Sequence, residues 1–477
     1  MKKFFDEKIT YGNKAVALIL LSVIAFLCLN SHSLLSHDEM GTMIEARMPF
    51  GEMLRFLFVK DVHPPVHFVL LKSWLSVFGQ SVFAARCFSF AGMIACAVFA
   101  YVKIRKLFDE KTAFWFVAFL LFSPLSLWLG RFIRMYSWTL FFTMAAFLSA
   151  ETALRKNDKK EYAFFVVFAV LASWTHYYAA LTCGIMTLIY LCRAYDSNEK
   201  ELLKRFFVCG VVLFFCVSPS VYVLSRQNMR AAGWIPNEAF ISSYNLFFEN
   251  DNFFGAILIF TAWAFGIQAL KENGNANEKA CVLTGLCTAV LVLCTGLALS
   301  VLWRPVIVER YLTATLGGVF LFFAFGAAKK RANEIFFSVI LTLSFLWSFA
   351  SEKQRVSDSV QPEFYQAVKA NVAKNDVIIA KNWWMMPWLS YHFPDYTVFN
   401  YSNCPVCIFY DKGVSDKENV AEMLKTKRVF TTDFGLFPDC ERREIITRTD
   451  PYIGGRDSYI LKKRDEVMSL TEITKCE

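Results

Sequence analysis

The sequence predicts a polytopic α-helical membrane protein with a soluble α/β domain at its C-terminal end. Three observations carry that fold class. First, the 477 residues are 56% hydrophobic and 17% aromatic, with 50 Phe and only 19% charged residues, whereas a soluble domain is about 45–50% apolar. Second, apolar runs of about 20 residues, the length that spans a bilayer as a helix, recur along the chain. Third, the composition turns charged and mixed after residue 351. The net charge of +9 arises from 50 Lys and Arg against 41 Asp and Glu. These basic residues sit in short connections between apolar runs, so they read as orientation signals and not as a nucleic-acid surface.

The first apolar segment, 15–35, reads as a retained span. It is longer than the ~7–15 residues of a signal-peptide core and leads into Ser-His-Asp-Glu, not into small residues. Further spans are expected near 83–102, 112–130, 135–154, 162–175, 178–192, 206–224, 253–270, 280–302, 311–328 and 335–350, about eleven in all. The segment 66–79 follows two prolines, carries Lys72 and is short. It is expected to lie in the interface. Charge supports this count. With Lys2, Lys3, Lys8 and Lys14 on the cytoplasmic side, the clusters at 103–111, 155–160, 193–205, 271–279 and 329–331 all face the cytoplasm, as positive-inside bias requires. One more crossing at 66–79 would reverse them all. The prediction is a multi-pass protein of the cytoplasmic membrane, N-terminus cytoplasmic, with a membrane domain over 1–351 and an external domain over 352–477.

In the external domain, 377–380, 429–432 and 459–461 read as short strands, and 362–373 and 416–425 as amphipathic helices. About 120 residues suffice for an independent fold. Of the 14 Cys, ten lie in apolar segments and act as small hydrophobes. Cys404, Cys407, Cys440 and Cys476 lie in the tail. A disulfide suits an oxidising exterior. Zinc at the Cys404-Pro-Val-Cys407 pair would need two more ligands, with Cys440 a third and the fourth unclear.

The external connections collect the candidate functional residues. The first, 36–65, opens on Asp38 and Glu39 and closes on Asp61-Val62-His63-Pro64-Pro65. Ionisable groups at a membrane boundary are costly to desolvate and mark working sites. An adjacent carboxylate pair can act as base, metal ligand or cation clamp, and can also simply solvate a helix end. The two prolines present His63 in a stiff, extended turn before an apolar helix; proline also starts helices without any further role. Arg131, Arg134, Arg304 and Arg310 are basic residues on the external side, against the charge bias. Arg131 and Arg134, at i, i+3 and followed by Tyr136, are expected to share one helical face and suit a phosphate. Snorkelling to lipid headgroups is the alternative. Glu309-Arg310-Tyr311 repeats the theme at another helix start. His176 stands beside Tyr177 and Tyr178, which an aromatic belt also explains.

A first span ending on Asp-Glu, a loop closing on Asp-Val-His-Pro-Pro and an Arg-x-x-Arg-x-Tyr turn together resemble the protein O-mannosyltransferase family. The likeness extends to its bacterial relatives, the aminoarabinose transferases that modify lipid A. It covers roughly the first 200 residues, with Glu309-Arg310-Tyr311 as a later echo. It implies a GT-C-like membrane glycosyltransferase that takes a sugar from a polyprenyl-phosphate donor and delivers it outside the cytoplasmic membrane. It further implies Asp38 as the candidate base, with Glu39 beside it, and a site shaped by His63 and the prolines.

The residues suit that chemistry. A carboxylate takes the acceptor hydroxyl's proton, and cations stabilise the departing lipid phosphate; Arg131, Arg134 and Arg310 are assigned to it, with Asp61, Tyr136, His176, Glu309 and Tyr311 lining the site. No cofactor is obligatory, and a divalent metal is compatible. The expected partners are the lipid-linked donor, a lipid, glycan or protein acceptor, and membrane lipids, with no nucleic acid. The rival readings are a transporter or flippase, whose charges and helix breaks usually lie near the midplane, and a non-catalytic binder of polyprenyl-linked sugars.

Overall fold

The computed structural model describes residues 10–30, 34–227, 235, 252–272, 275–380, 385–401, 413–414, 417–433, 436–437, 439–450 and 466–476. The chain divides into two compact units. One comprises Met1–Ser31, His63–Ser225 and Ile235–Ser351; the other comprises His32–Val62, Arg226–Trp234 and Glu352–Glu477. The division falls between Ser351 and Glu352 towards the C-terminal end, and most of the first acidic loop groups with the tail.

In chain order the helices begin with α1 (Tyr11–Leu29), α2 (His37–Arg47), α3 (Phe50–Val59), α4 (Val66–Phe78), α5 (Val82–Leu107), α6 (Glu110–Phe122) and α7 (Ser126–Arg131). There follow α8 (Tyr136–Lys156), α9 (Lys159–Ser173), α10 (Tyr177–Asp196), α11 (Lys200–Arg226), α12 (Phe253–Glu272) and α13 (Ala276–Leu302). A 3-10 turn, Glu309–Thr315, leads into α14 (Leu316–Ala328), and α15 (Arg331–Ser357) ends the apolar region. Side-chain caps start several of them: Ser81 accepts from Ala84 N–H, Asp109 from Thr112 N–H, and Asn275 from Glu278 N–H, each satisfying a donor the helix itself leaves open.

The protein is a polytopic helical membrane protein. Eight described segments are long and apolar enough to cross a membrane: Tyr11–Leu29, Val82–Leu107, Tyr177–Asp196, Lys200–Arg226, Phe253–Lys271, Ala276–Leu302, Glu309–Ala328 and Arg331–Asn371. The other expected spans are helical but differ for local reasons. The segment 112–130 breaks at Ser123-Pro124 into α6, of 13 residues, and the short α7. Helix α9 has 15 residues. Helix α8 has 21, but carries Ser137, Thr139, Thr143, Ser149 and Glu151; it is buried in protein along most of its length, where lipid does not set its polarity. The segment 66–79 is α4, whose 13 residues reach only about 20 Å.

The basic connections nevertheless meet one another, closing a ring of contacts within the first unit. Lys103 pairs with Glu161, and Arg155 donates to Leu107 and Asn277 carbonyls. Arg205 donates to Asn157, Lys329 pairs with Glu278, and Lys111 and Tyr11 both reach Glu334. At the centre the fully buried Glu151 carboxylate accepts from Arg155, Arg193 and Tyr190. Lys2, Lys3 and Lys8 lie outside the described residues.

In the other unit, the tail folds as α16 (Gln361–Asn371), β1 (Val377–Ala380), α17 (Met385–His392), β2 (Thr397–Tyr401), β3 (Gly413–Val414), α18 (Lys417–Leu424), β4 (Val429–Thr431), β5 (Cys440–Asp450) and β6 (Glu466–Cys476). The sheet order is β3-β2-β1-β4-β6-β5. The first four strands run parallel; β6 joins β4 and β5 antiparallel. Val377, Ile379, Val420, Val429 and Ile473 build one core face. The expected strands 377–380 and 429–432 and both expected helices are present, each within a residue or two. The 459–461 segment and Cys404 and Cys407 lie outside the described residues. Cys440 bonds to Cys476 across the β5–β6 register, so it is not the third ligand of a zinc set.

Candidate functional site

The first unit holds eight of the expected residues: His63, Arg131, Arg134, Tyr136, His176, Glu309, Arg310 and Tyr311. The Asp61–Pro65 turn delivers His63 just ahead of α4, whose first amide, Val66 N–H, donates to Trp174 O at 3.1 Å. That bond ties the turn to the α9–α10 connection. His63 Nε2 meets Arg134 Nη2 at 2.8 Å. His176 caps α10, its Nδ1 accepting from Tyr178 N–H at 3.1 Å. Its ring lies 5.0 Å from that of Tyr311 and 5.8 Å from that of Tyr136. Tyr178 packs at 5.3 Å from Tyr311 and donates to Val306 O. Arg134, His176, Glu309 and Arg310 are all buried.

Burial holds His176 down at about 3, with the charges of His63, Arg134 and Arg310 acting in the same direction. It is therefore neutral at physiological pH. With Nδ1 accepting, its proton resides on Nε2, which makes it an uncharged donor. His67, one turn after His63, is fully buried against Phe68 and Phe88. Burial, then Arg134 and His63, push it well below the usual imidazole range.

Arg131 departs from expectation. Helix α7 ends on it, and Phe132 turns extended at φ −67°, ψ 118°. Arg131 and Arg134 thus do not share a helical face. Arg131 Nε donates to Asn30 Oδ1 at 3.3 Å, as does Arg86 Nη1. It also lines an apolar cleft with Phe26, Phe90, Met93, Leu121 and Phe345. Asn30 and Arg86 escaped the sequence reading; a polar residue closing an apolar span was the available signal for Asn30.

The acidic residues Asp38, Glu39 and Asp61 belong to the other unit. Helix α2 begins at Ser36, and Glu39 folds back on it: its Oε2 accepts from Ser36 N–H at 2.9 Å and Ser36 Oγ at 3.1 Å. This is a capping box, legible as Ser-x-x-Glu. Glu39 is buried, whereas Asp38, beside His37 Nε2 at 3.5 Å, keeps part of its side chain exposed. Asp61 is buried and accepts from Val62 N–H at 2.7 Å. Among the described residues, no three His, Cys, Asp or Glu side chains converge as a metal set.

Residues 62–223 match the family model of the dolichyl-phosphate-mannose-protein mannosyltransferases. That stretch contains His63, Arg131, Arg134, Tyr136 and His176. The structure is similar to ArnT from Cupriavidus metallidurans in the apo state, with TM-score 0.64 and 10% identity over 97% of this chain and 98% of that one. The chain has a GT-C-like fold, shared with that ArnT structure. This GT-C protein is also similar to the same ArnT bound to undecaprenyl phosphate, with TM-score 0.61 and 11% identity over 96% and 98% of the two chains. A third likeness is to the archaeal oligosaccharyltransferase AglB from Archaeoglobus fulgidus, in complex with an inhibitory peptide and a dolichol-phosphate. There the TM-score is 0.50 and the identity 10%, over 88% of this chain and 69% of that one. No curated protein sequence matches the chain.

Proposed function

We propose that this GT-C protein is an inverting glycosyltransferase that moves a sugar from a polyprenyl-phosphate donor to an acceptor at the outer face of the cytoplasmic membrane. The observation that carries the reading is a pair of buried guanidiniums, Arg134 bonded to His63 and Arg310 beside Tyr311, whose charges both bear on the buried His176. Concentrated positive charge in a low-dielectric site favours an anion, and Arg suits phosphate in particular. In this proposal Arg134 and Arg310 hold the donor phosphate, and neutral His176 donates a hydrogen bond without adding charge. Arg131 beside its apolar cleft suits the neighbouring lipid. The ArnT structure with undecaprenyl phosphate and the AglB structure with a dolichol-phosphate support a polyprenyl-linked donor.

Asp38 is assigned as the base. It takes the acceptor hydroxyl's proton as that oxygen attacks the anomeric carbon, and the bond from that carbon to the phosphate oxygen breaks on the opposite face. The leaving charge stays on a phosphate already facing cations. Glu39, engaged by Ser36, supports α2 and does not share the proton transfer. No metal is obligatory in this scheme. The ring of basic connections and the Cys440–Cys476 disulfide, which suits an oxidising compartment, both support an external tail.

The test uses purified protein in detergent with labelled polyprenyl-phosphate sugar and a cell-envelope extract as acceptor. Transferase action releases polyprenyl phosphate and labels the acceptor. Movement of intact donor across a vesicle membrane without cleavage would support the flippase reading instead.

A further inference from the structure

The tail holds helix α2 at both ends. At its start, Gln361 Nε2 donates to the carbonyl of Leu35 at 3.2 Å, while Gln361 Oε1 accepts from Trp388 Nε1 at 3.3 Å. All three residues are buried. The amide is used in both directions, a donor at one end and an acceptor at the other, so neither a carboxylate nor an apolar side chain can replace it. At the far end of α2, the Arg47 guanidinium lies 4.5 Å from the centre of the Tyr391 ring and donates to Tyr391 Oη at 3.1 Å. Between these points α2 and α17 pack on one another. Leu35, the residue held by Gln361, stands immediately before the Ser36 cap and three positions before Asp38.

We propose that the C-terminal unit is a positioning device: Gln361 and Tyr391 fix the two ends of α2 and so set the place of Asp38. This rests on the assignment of Asp38 as base. An isolated α2 of 11 residues is shorter than the ~12–15 at which a helix is even marginal in water. Its order therefore comes from packing. A base must be held within hydrogen-bond reach of its proton, and a misplacement of about 1 Å costs about 100-fold in rate. Gln361 and Tyr391 touch no reacting atom; they act through α2.

The experiment compares full-length wild type with the Gln361→Met, Tyr391→Leu double variant. Hydrogen exchange is measured over peptides covering 35–47 and 82–107, together with kcat and donor KM for polyprenyl-phosphate release. Loss of these hydrogen bonds should speed exchange over 35–47 about tenfold and leave 82–107 unchanged. Turnover should fall about 100-fold, with donor KM changing less than about twofold, because the donor's phosphate is held by other residues. Unchanged exchange over 35–47, or faster exchange with wild-type kcat, overturns the proposal. A wild type that releases no polyprenyl phosphate overturns the reading of the site, and the exchange rates then still decide whether the tail holds α2. If the double variant fails to fold, the nearly isosteric Gln361→Met alone is judged by the same outcomes.

Discussion

Arg134 and His63 meet through Nη2 and Nε2 at 2.8 Å across 71 positions of sequence. The contact joins the turn before α4 to the bend between α7 and α8. An imidazole that accepts from a guanidinium leaves the cation its full charge, so the pair keeps its attraction for an anion. Replacing Arg134 by Met should raise donor KM about 10- to 100-fold, the worth of a charged hydrogen bond. Arg134→Lys should recover only part of this, because a point charge lacks the planar fork. Steady-state release of polyprenyl phosphate measures both; an unchanged KM in Arg134→Met would remove Arg134 from the donor site.

Asp38 and Glu39 separate by the same assay. Asp38→Asn should lower kcat by about 10²–10⁴-fold, the range of a general base, in protein that is still folded and inserted. Glu39→Gln should keep most turnover, since an amide oxygen still accepts from Ser36 N–H. The reverse result would transfer the proton-accepting role to Glu39.

Much of this arrangement was legible in the sequence, and the misreadings have physical causes. His63, Arg134, Tyr136, His176, Arg310 and Tyr311 stand out because the charge bias predicts their connections to lie opposite the basic ones, and long-range packing brings them into one unit. Arg131 was grouped with Arg134 on an i, i+3 rule that holds only inside a helix, and α7 ends at Arg131. Glu39 read as half of an acidic pair because its capping role depends on where α2 begins. Strands β5 and β6 escaped notice because Glu441-Arg442-Arg443-Glu444 gives no apolar alternation; their pairing is set by partner strands and by the Cys440–Cys476 bond. The hold of Gln361 on Leu35 spans 326 positions and leaves no local trace.

His392 makes the tail sensitive to acid. Burial, with the Arg47 charge acting in the same direction, holds it down at about 4 in the folded protein, against about 6.5 unfolded. Between these values the unfolded chain binds a proton that the folded chain does not, so stability falls as pH falls from about 6.5 to 4. The apparent Tm of the tail's transition should drop across that window. The drop should be smaller in His392→Gln, which has no proton to gain. An equal drop in both proteins would assign the sensitivity elsewhere.

The Cys440–Cys476 bond closes a loop between residues 36 positions apart. A loop of that size is worth about 3–4 kcal/mol in the chain-entropy account. Cys440→Ser should make 377–476 markedly more sensitive to protease, and reductant should do the same to the wild type but nothing further to the variant. In intact cells, after mild reduction, a membrane-impermeant maleimide should label Cys476 if the tail is external. Labelling only after lysis would reverse the topology.

Helices α13 and α14 touch backbone to backbone at Gly285 and Gly318. A methyl group on Gly318 would stand 2.8 Å from Gly285 Cα, and one on Gly285 would stand 2.9 Å from Gly318 Cα. The obstruction in each case is main chain, which no rotamer change relieves, so either substitution must push two helices apart. Small residues allow this kind of approach in membranes, where packing and not the hydrophobic effect joins helices. Gly318→Ala should therefore cost about 1–3 kcal/mol, the usual penalty of overpacking, and lower the Tm of the detergent-solubilised protein. Gly184→Ala is the control, because nothing lies within 4 Å of its added methyl and alanine is the better helix former. It should be neutral or slightly stabilising. Equal losses at Gly184 and Gly318 would mean that backbone flexibility, not close approach, is what the glycines provide.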